Sequence, residues 1–518
     1  MSNGDLAAII ISPQGKLVGS KKEAKKLILE YKPDIKEKFK LLFEPRSIAF
    51  LGASRDPQKW GFRILGNLMM GGFQGRVYPV NPKKGEVLGL KVYGSVGDIP
   101  ETPDLAVIVV PPTSVVDAVK ECISKGIKAG VVITAGFAEI GKEGEKVQQE
   151  IVETARSGGM VLVGPNSFGI INPSSKLHSQ MPPIFPPPGP IAVVSQSGNL
   201  VATVARMVIA RGFGYSKGIS SGNEAALHSE DYLEYLAEDP QTKVILSYIE
   251  GLKDGHRFFE TAKKVTKKKP VIMLKAGETP AGARAAKSHT ASLAGSDTVF
   301  DAMCKQAGVI RVRNLDELVN AGFAFLCHPL PQGRRVGIVT AGGGWGVLAA
   351  DACAKLGLDV VPLPDDTLRE LDSFLPAWWN RGNPVDLVAG AFGNAMMKSV
   401  EVIMRCPVVD GVIMMGLMPS VPEEFFHPPT GEEEIEKRRK DMIAAITHIF
   451  EEVNGLVNTY QKPVVIASDP LFNSARTKAR LTYALGGMNA VCYDMPHEAA
   501  AALASLAQYS EYLKQDNA

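Results

Sequence analysis

Five short runs rich in β-branched and aliphatic residues, RSIAFLGAS, GRVYPVNP, DLAVIVVPP, GVVITAGFAE and MVLVGPNSFG, follow one another from residue 46 with helical patterns between them. This alternation constrains the fold most, because strands separated by helix-length segments read as a parallel sheet with crossover helices packed on its faces. Each run passes at its C-terminal end into glycine, proline, serine or asparagine, as at Gly136 in GVVITAGFAE. A row of strand C-termini therefore carries polar loops, the edge at which open α/β sheets bind ligands, and a nucleotide is expected there. GASRDPQKWG after the first run resembles a dinucleotide turn, yet it lacks the full G-x-G-x-x-G pattern and no acidic residue caps the second run to hold a ribose. NAD is therefore disfavoured.

At 518 residues the chain exceeds one core, and about 150 residues per domain suggests three or four similar units. The proline-rich stretch MPPIFPPPGP, residues 181–190, is stiff and is expected to continue neither sheet nor helix, which closes a first unit at 46–180. A second unit, 190–330, begins with PIAVVSQSGNLVATVARMVIARG: a strand, a tight turn over Ser195, Gln196, Ser197, Gly198 and Asn199, and an amphipathic helix. Further strands follow at KVILSYIEG, PVIMLKAG and GVIRVR. The third unit, 334–510, opens with RRVGIVTAGGGWGVLAADACAKLG and repeats that plan with Gly343 and Gly344 at its turn. In both places a small-residue turn opens a helix directly, leaving unpaired N–H groups and the positive end of the dipole, roughly half a charge, for an anion. Tight packing of helix on strand needs the same glycines, so either turn alone admits both readings. Two segments lie outside the plan: residues 1–45, with KKEAKKLILEY and DIKEKFK, read as a solvated helical extension, and PEEFFHPPTGEEEIEKRRKDM near 422–442 reads as a charged insertion leading into a helix.

The chemistry-bearing segment is KSHTASLAGSD, Lys287 to Asp297, where His289 stands among small and hydroxyl residues in a glycine-flanked loop. The strand KVILSYIEG ends at Glu250. A carboxylate delivered from a strand end would accept one imidazole N–H and leave the other nitrogen as nucleophile or base; the plainer alternative is a polar surface loop. With 57 basic and 55 acidic residues the net charge of +2 gives no case for nucleic acid or an anionic membrane as main partner. No apolar run approaches the roughly 20 residues that span a bilayer. The opening MSNGDLAAIIISPQGK has neither a basic n-region nor a cleavage pattern, so the cytoplasm is the expected compartment. Six scattered cysteines show no paired metal-ligand spacing and read as reduced core thiols, with no metal site.

Taken together, VVSQSGNL, VGPNSFGIINP, SSGNEA, YIEG and SHTASLAGSD resemble the α subunit of the nucleoside-diphosphate-forming acyl-CoA synthetases, of the ADP-forming acetate–CoA ligase type and related to succinyl-CoA synthetase. TAGGGWG resembles their second ligase domain, and the likeness covers about residues 40–510 in the family's domain order. It implies an α/β fold: a Rossmann-like CoA-binding domain followed by two flavodoxin-like domains. By this likeness Gly52, Ala53 and Ser54 approach the phosphates of coenzyme A, and Asn81, Pro82 and Lys83 sit beside its adenosine or ribose. Val110, Pro111, Thr134, Ala135 and Gly136 line the same edge, and Asn166 lies near the thiol end. His289 is then the residue phosphorylated during turnover, Glu250 its orienting carboxylate, and the turns at Ser197–Gly198 and Gly343–Gly344 hold the phosphoryl group.

The implied reaction interconverts acyl-CoA, phosphate and a nucleoside diphosphate with acid, CoA and nucleoside triphosphate, through acyl phosphate and phosphohistidine. No ATP-grasp domain, Walker lysine loop or carboxylate cluster suited to Mg²⁺ and nucleotide is evident in the sequence. The resemblance therefore implies a separate ATP-grasp β subunit that binds ADP or GDP with Mg²⁺, in a hetero-oligomer of the α2β2 type. KKEAKKLILEY faintly resembles the helical opening of such a domain; a docking or loose helix is the other reading. A rival from another class is a catalytically silent CoA-binding regulatory protein of the same fold, and a second is an acyl-transferring enzyme without phosphohistidine. The presence of His289, Glu250 and the intact loop favours the ligase over both. Phe374, Trp378 and Trp379 in SFLPAWWNRGNPVDL either shape an acyl pocket or pack in the core.

Overall fold

In a computed structural model the structure describes residues 10–11, 17–18, 35–282, 284, 297–388, 394–417, 428–468 and 475–515. The first sheet is built from β1 (Ser47–Leu51), β2 (Arg76–Val80), β3 (Leu105–Ile108), β4 (Ala129–Val132) and β5 (Val161–Val163), all parallel in the order β2-β1-β3-β4-β5. SIAFL of β1 is buried at every position, as a strand covered on both faces requires. Because β1 lies between β2 and β3, the chain moves off in opposite directions on its two sides, and the loop after Leu51 sits at a topological switch point.

The second sheet comprises β6 (Gly169–Asn172), β7 (Leu177–Gln180), β8 (Pro188–Ser195), β9 (Tyr215–Ser220), β10 (Val244–Ile249), β11 (Val271–Lys275) and β12 (Ile310–Val312), in the order β7-β6-β9-β8-β10-β11-β12. Its five later strands are parallel; β6 and β7 form a hairpin running antiparallel to β9. In sequence that hairpin falls within 46–180, yet its hydrogen bonds go to the second sheet. The stretch expected to interrupt the sheet in fact begins β8 at Pro188. Proline removes a donor but keeps a carbonyl, and the carbonyls of Pro187 and Pro190 accept from the N–H groups of Tyr215 and Lys243 at 2.9 and 2.8 Å. Register shifts between Pro188 and Ala192 absorb the missing donors.

Alternation along the strands assigns the two faces of this sheet. Ala192, Val194, Ile245, Val271 and Met273 enter a core that reaches into the first unit. Ile191, Val193, Val244, Leu246 and Ile272 enter a second core shared with the third unit. The third sheet, β13 (Arg335–Thr340), β14 (Asp359–Val360), β15 (Val385–Asp386), β16 (Gly411–Met415), β17 (Val464–Ala467) and β18 (Cys492–Tyr493), is parallel, with β13 between β14 and β16 and also pairing β15. The C-terminal helix Pro496–Gln515 ties the last two units together: the Tyr509 hydroxyl donates to the carbonyl of Thr266 at 2.5 Å and the Thr266 hydroxyl donates to Tyr512 at 3.0 Å.

One expectation needs correction. The helix at 35–43 is not solvated: Phe39, Leu42 and Phe43 are fully buried. Phe39 stacks on Tyr235 at 4.8 Å and meets Tyr232 edge-on at 6.0 Å. Ile35, Phe39, Leu42 and Phe43 form one helical stripe, which the lysines of the same segment obscure in composition. The charged segment near 422–442 lies partly outside the described residues; from Glu432 it belongs to a 29-residue helix ending at Tyr460. Among the described residues no helix is long and apolar enough to cross a membrane. The six cysteines are free, and burial pushes the thiols of Cys122, Cys304 and Cys353 up to about 12, which removes them as nucleophiles.

Truncating Phe39 to alanine should lower the unfolding free energy by about 3–5 kcal/mol, the usual cost of emptying a buried aromatic site. Denaturant melts check this; a loss under about 0.5 kcal/mol would mark 35–43 as a surface helix after all.

Candidate functional site

Each of the three sheets has its first long parallel strand at the switch point, and each of those strands ends in a small-residue turn. After β1, Gly52 adopts φ +91°, and a Cβ there would lie 2.4 Å from the carbonyl oxygen of Val109, so only glycine fits. The Asn81 amide donates to the carbonyl of Ala53 at 2.8 Å while its oxygen accepts the N–H of Lys83 at 2.9 Å. Gly52–Ser54 and Asn81–Lys83 are thereby joined into one surface, with Pro82 and Lys83 exposed beside it. The helix Trp60–Met70 starts just beyond with no side-chain cap, and Gly61 packs so closely on Gly52 that a Cβ would fall 2.0 Å from its oxygen. A positively polarised, bare backbone edge of this kind suits the phosphates of a nucleotide-like ligand.

The neighbouring loops converge on the same edge. The Thr134 hydroxyl donates to the carbonyl of Val110 at 2.6 Å, and the N–H of Asn166 donates to the carbonyl of Thr134 at 2.9 Å. Pro111 and Ala135 are exposed beside them. Gly136, with φ +106°, donates its N–H to Glu139 at 2.6 Å. From here the network crosses into the second unit: the Asn223 amide donates to Glu139 at 2.6 Å and to Gln148 at 2.9 Å, and its oxygen accepts from the Asn166 amide at 3.2 Å. Burial works against the Glu139 charge, but the N–H groups of Gly136 and Asn223 outweigh it and hold the carboxyl below its ordinary range. Asn166 thus lies where the two units meet. Sequence reading missed Glu139 and Gln148, although SSGNEA contained Asn223.

The turns after β8 and β13 are built alike. The Ser195 hydroxyl donates to the carbonyl of Ser197 at 2.7 Å and accepts the Ser197 N–H at 3.1 Å. In the third unit the Thr340 hydroxyl donates to the carbonyl of Gly342 at 2.8 Å and accepts its N–H at 3.2 Å. Helices Gly198–Ala210 and Gly343–Lys355 then start at once, neither with a side-chain cap. The glycines divide between the two readings left open by the sequence. A Cβ on Gly198 would strike the Phe168 ring at 2.0 Å, so packing demands it, whereas one on the exposed Gly343 would meet only the movable Asp386 carboxylate at 2.7 Å. Gly344 faces open space with nothing within 4 Å and is exposed, so packing does not demand it. Bare N–H groups remain at both helix starts whichever need placed the glycines.

Glu250 follows β10, the strand that pairs with β8 in register Ser195 to Tyr248. It is buried at the same sheet edge as the Ser195 turn. Gln196 fixes it there: the side-chain oxygen accepts the N–H groups of Glu250 and Gly251 at 2.7 and 3.2 Å, and the amide donates to the carbonyl of Gly251 at 2.9 Å. Gln196 therefore couples the helix-opening turn to the backbone that carries Glu250, a role not read from the sequence. A second buried acid, Glu224, accepts from the hydroxyls of Ser221 and Ser229 at 2.8 and 2.7 Å, and burial raises its pKa. His289 lies outside the described residues. Among the aromatic candidates, Trp379 is core, donating its indole N–H to Asp372 at 2.9 Å, whereas Trp378 is 73% exposed and Phe374 only partly buried. Among the described residues no group of three or more His, Cys, Asp or Glu side chains is placed to hold a metal ion.

Three family models match in sequence order: a CoA binding domain over residues 46–173, a succinyl-CoA ligase-like flavodoxin domain over 188–325 and a ligase-CoA domain over 336–427. The chain is 46% identical over 379 residues to the α subunit of ADP-forming acetate–CoA ligase II of Pyrococcus furiosus, covering 73% of this chain and 82% of that one. With the α subunit of ligase I of the same organism it shares 42% over 414 residues, 78% of this chain and 89% of the relative. Its fold matches the solved structure of an acetyl-coenzyme A synthetase from Candidatus Korarchaeum cryptofilum in complex with phosphate and ADP, at a TM-score of 0.78 and 31% identity over 93% of this chain and 99% of that one. With three family-model matches in order and this identity along most of its length, the chain belongs to the α-subunit family of the ADP-forming acetate–CoA ligases, a family of NDP-forming acyl-CoA synthetases with succinyl-CoA ligase-like domains.

Proposed function

We propose that this chain is the CoA-binding, phosphoryl-relaying subunit of an NDP-forming acyl-CoA synthetase, with His289 as phosphoryl acceptor and Glu250 as its orienting carboxylate. The observation that carries the reading is the coupling through Gln196: one side chain holds the backbone of Glu250 and Gly251, and with it a buried acidic residue, at the sheet edge that carries an uncapped helix N-terminus. An imidazole brought to that edge meets an acceptor for one N–H and a row of donors for the group on its other nitrogen.

In the first step a phosphate oxygen attacks the thioester carbonyl, the C–S bond breaks, and CoA leaves as the thiolate. The His289 nitrogen then attacks phosphorus in the acyl phosphate, and the acid leaves as carboxylate. Transfer to a nucleoside diphosphate completes the relay, and each step is reversible. A phosphoryl group between these partners carries its charge on oxygens that backbone N–H groups can follow without reorganisation. Coenzyme A is assigned to Gly52, Ala53, Ser54, Asn81, Pro82 and Lys83, with Val110, Pro111, Thr134, Ala135, Gly136 and Asn166 along its path. Phosphate is assigned to Ser197, Gly198, Gly343 and Gly344. The relatives' names make ADP and acetate the first nucleotide and acid to test. Because those relatives are α subunits, the nucleotide and Mg²⁺ are assigned to an ATP-grasp β subunit in an α2β2 assembly in the cytoplasm. The silent regulatory reading is not favoured, since those relatives are named as ligases.

Acetyl phosphate labelled at phosphorus should give an acid-labile, base-stable label at His289, and His289→Ala should abolish it. Glu250→Gln should slow labelling by about 10²-fold while leaving CoA affinity unchanged, because shape is kept and the orienting charge is lost. Peptide mapping that places the phosphate elsewhere, or normal turnover by His289→Ala, would remove the mechanism.

Isothermal titration of the full chain should show Lys83→Ala weakening CoA by about 1 kcal/mol, the scale of one exposed charge contact. Gly52→Ala should weaken it more than tenfold, through the clash with Val109. Unchanged affinity in both variants would move the CoA site away from this edge.

Purified alone, the chain should pass phosphoryl groups between acetyl phosphate and His289 without making ATP, and adding the β subunit should restore ATP synthesis. Rapid ATP formation by a preparation free of any second polypeptide would place the nucleotide site within these 518 residues.

A further inference from the structure

The segment that carries His289 leaves the second sheet after β11 and returns through the helix Asp297–Ala307 to β12. Ile310 and Val312 of β12 point into the core shared with the third unit, so Arg311 between them points to the opposite face. Its side chain is only 4% exposed, and it meets three carboxylates: Nη2 lies 3.1 Å from Glu278 and 2.5 Å from Asp297, and Nη1 lies 3.5 Å from Asp301. Nη1 also donates to the backbone carbonyl of Asp297 at 3.3 Å. The guanidinium sits over the Phe300 ring at 5.4 Å, and Arg313 adds a 3.0 Å contact to Glu278 from outside.

Glu278 stands just past the end of β11, and Asp297 is the first residue of the returning helix. One buried guanidinium therefore joins the two ends of the connection 279–296. Resting on the reading of His289 as phosphoryl acceptor, we infer that Arg311 is the positioning residue of the relay: by bonding Glu278 and Asp297 at once, it fixes where the His289 segment leaves and rejoins the sheet edge that bears Glu250 and the Ser195 turn. This also gives the aspartate that ends SHTASLAGSD a task that phosphoryl chemistry alone does not supply.

The fork geometry makes the idea separable from simple charge balance. Lysine keeps the positive charge but offers a single point where arginine reaches several acceptors, so Arg311→Lys leaves the carboxylates neutralised while loosening the clamp. Asp297→Asn keeps the shape and removes one charged partner. Both full-length variants should retain wild-type CoA affinity by calorimetry and unchanged KM for acetyl phosphate, with His289 labelling at least tenfold slower. A charge-balancing role alone predicts that Arg311→Lys labels at the wild-type rate, and wild-type labelling in both variants would overturn the inference. If Arg311→Lys fails to fold, Asp297→Asn decides the matter on the same readouts. His289→Ala serves as the separate control: loss of label there with normal labelling in the clamp variants refutes Arg311 alone, whereas label retained in His289→Ala refutes the relay itself.

Discussion

A hydroxyl at the last position of a parallel strand, Ser195 in one sheet and Thr340 in another, bonds both the carbonyl and the N–H of the residue two places on. That pair of bonds lets a helix begin immediately after the strand with no side chain capping it, and the remaining features of the site depend on it. The turn directs the helix start to the strand's C-terminal edge. The switch-point topology keeps that edge clear of a crossover, and Gln196, inside the first such turn, reaches across to hold the strand that delivers Glu250. If the hydroxyl were absent, the turn would lose both of its internal partners.

The same edge bears on the imidazole nucleophile proposed above. The thiols of Cys122, Cys304 and Cys353 are pushed up by burial, and Glu224, bound by two serine hydroxyls, is likewise raised. Burial thus works against negative charge at these four groups, whereas the turns at the strand edge present backbone donors fixed in advance. An imidazole is neutral before attack and brings no charge of its own to that edge. Anionic substrates can then be handled without a buried anionic nucleophile competing for the same donors.

Much of this was legible in the sequence because it is local. Alternating βα patterns, glycines at Gly52, Gly198 and Gly343, and an acid closing KVILSYIEG each leave a signature within ten residues. What escaped depends on distant partners. The stripe of Phe39, Leu42 and Phe43 is hidden among lysines, and its burial is decided by Tyr232 and Tyr235. Pro188 joins a sheet because its neighbours' carbonyls find donors in Tyr215 and Lys243, which no reading of prolines alone supplies. The hairpin 169–180 falls within the first unit in sequence but finds its hydrogen bonds in the second sheet. Gln196 looked like one polar residue in a turn; its work is done on a strand more than fifty residues away.

The C-terminal helix draws the final boundary of what can be exchanged between relatives. Its Tyr509 and Tyr512 bond Thr266, Ser510 bonds the carbonyl of Pro331, and Tyr493 just upstream bonds the carbonyl of Asn320. A cut or graft between the second and third units would strand these hydroxyls and open a shared apolar core to water. A third unit grafted from a relative must therefore carry surfaces that match the second. The second and third units thus behave as one packing block.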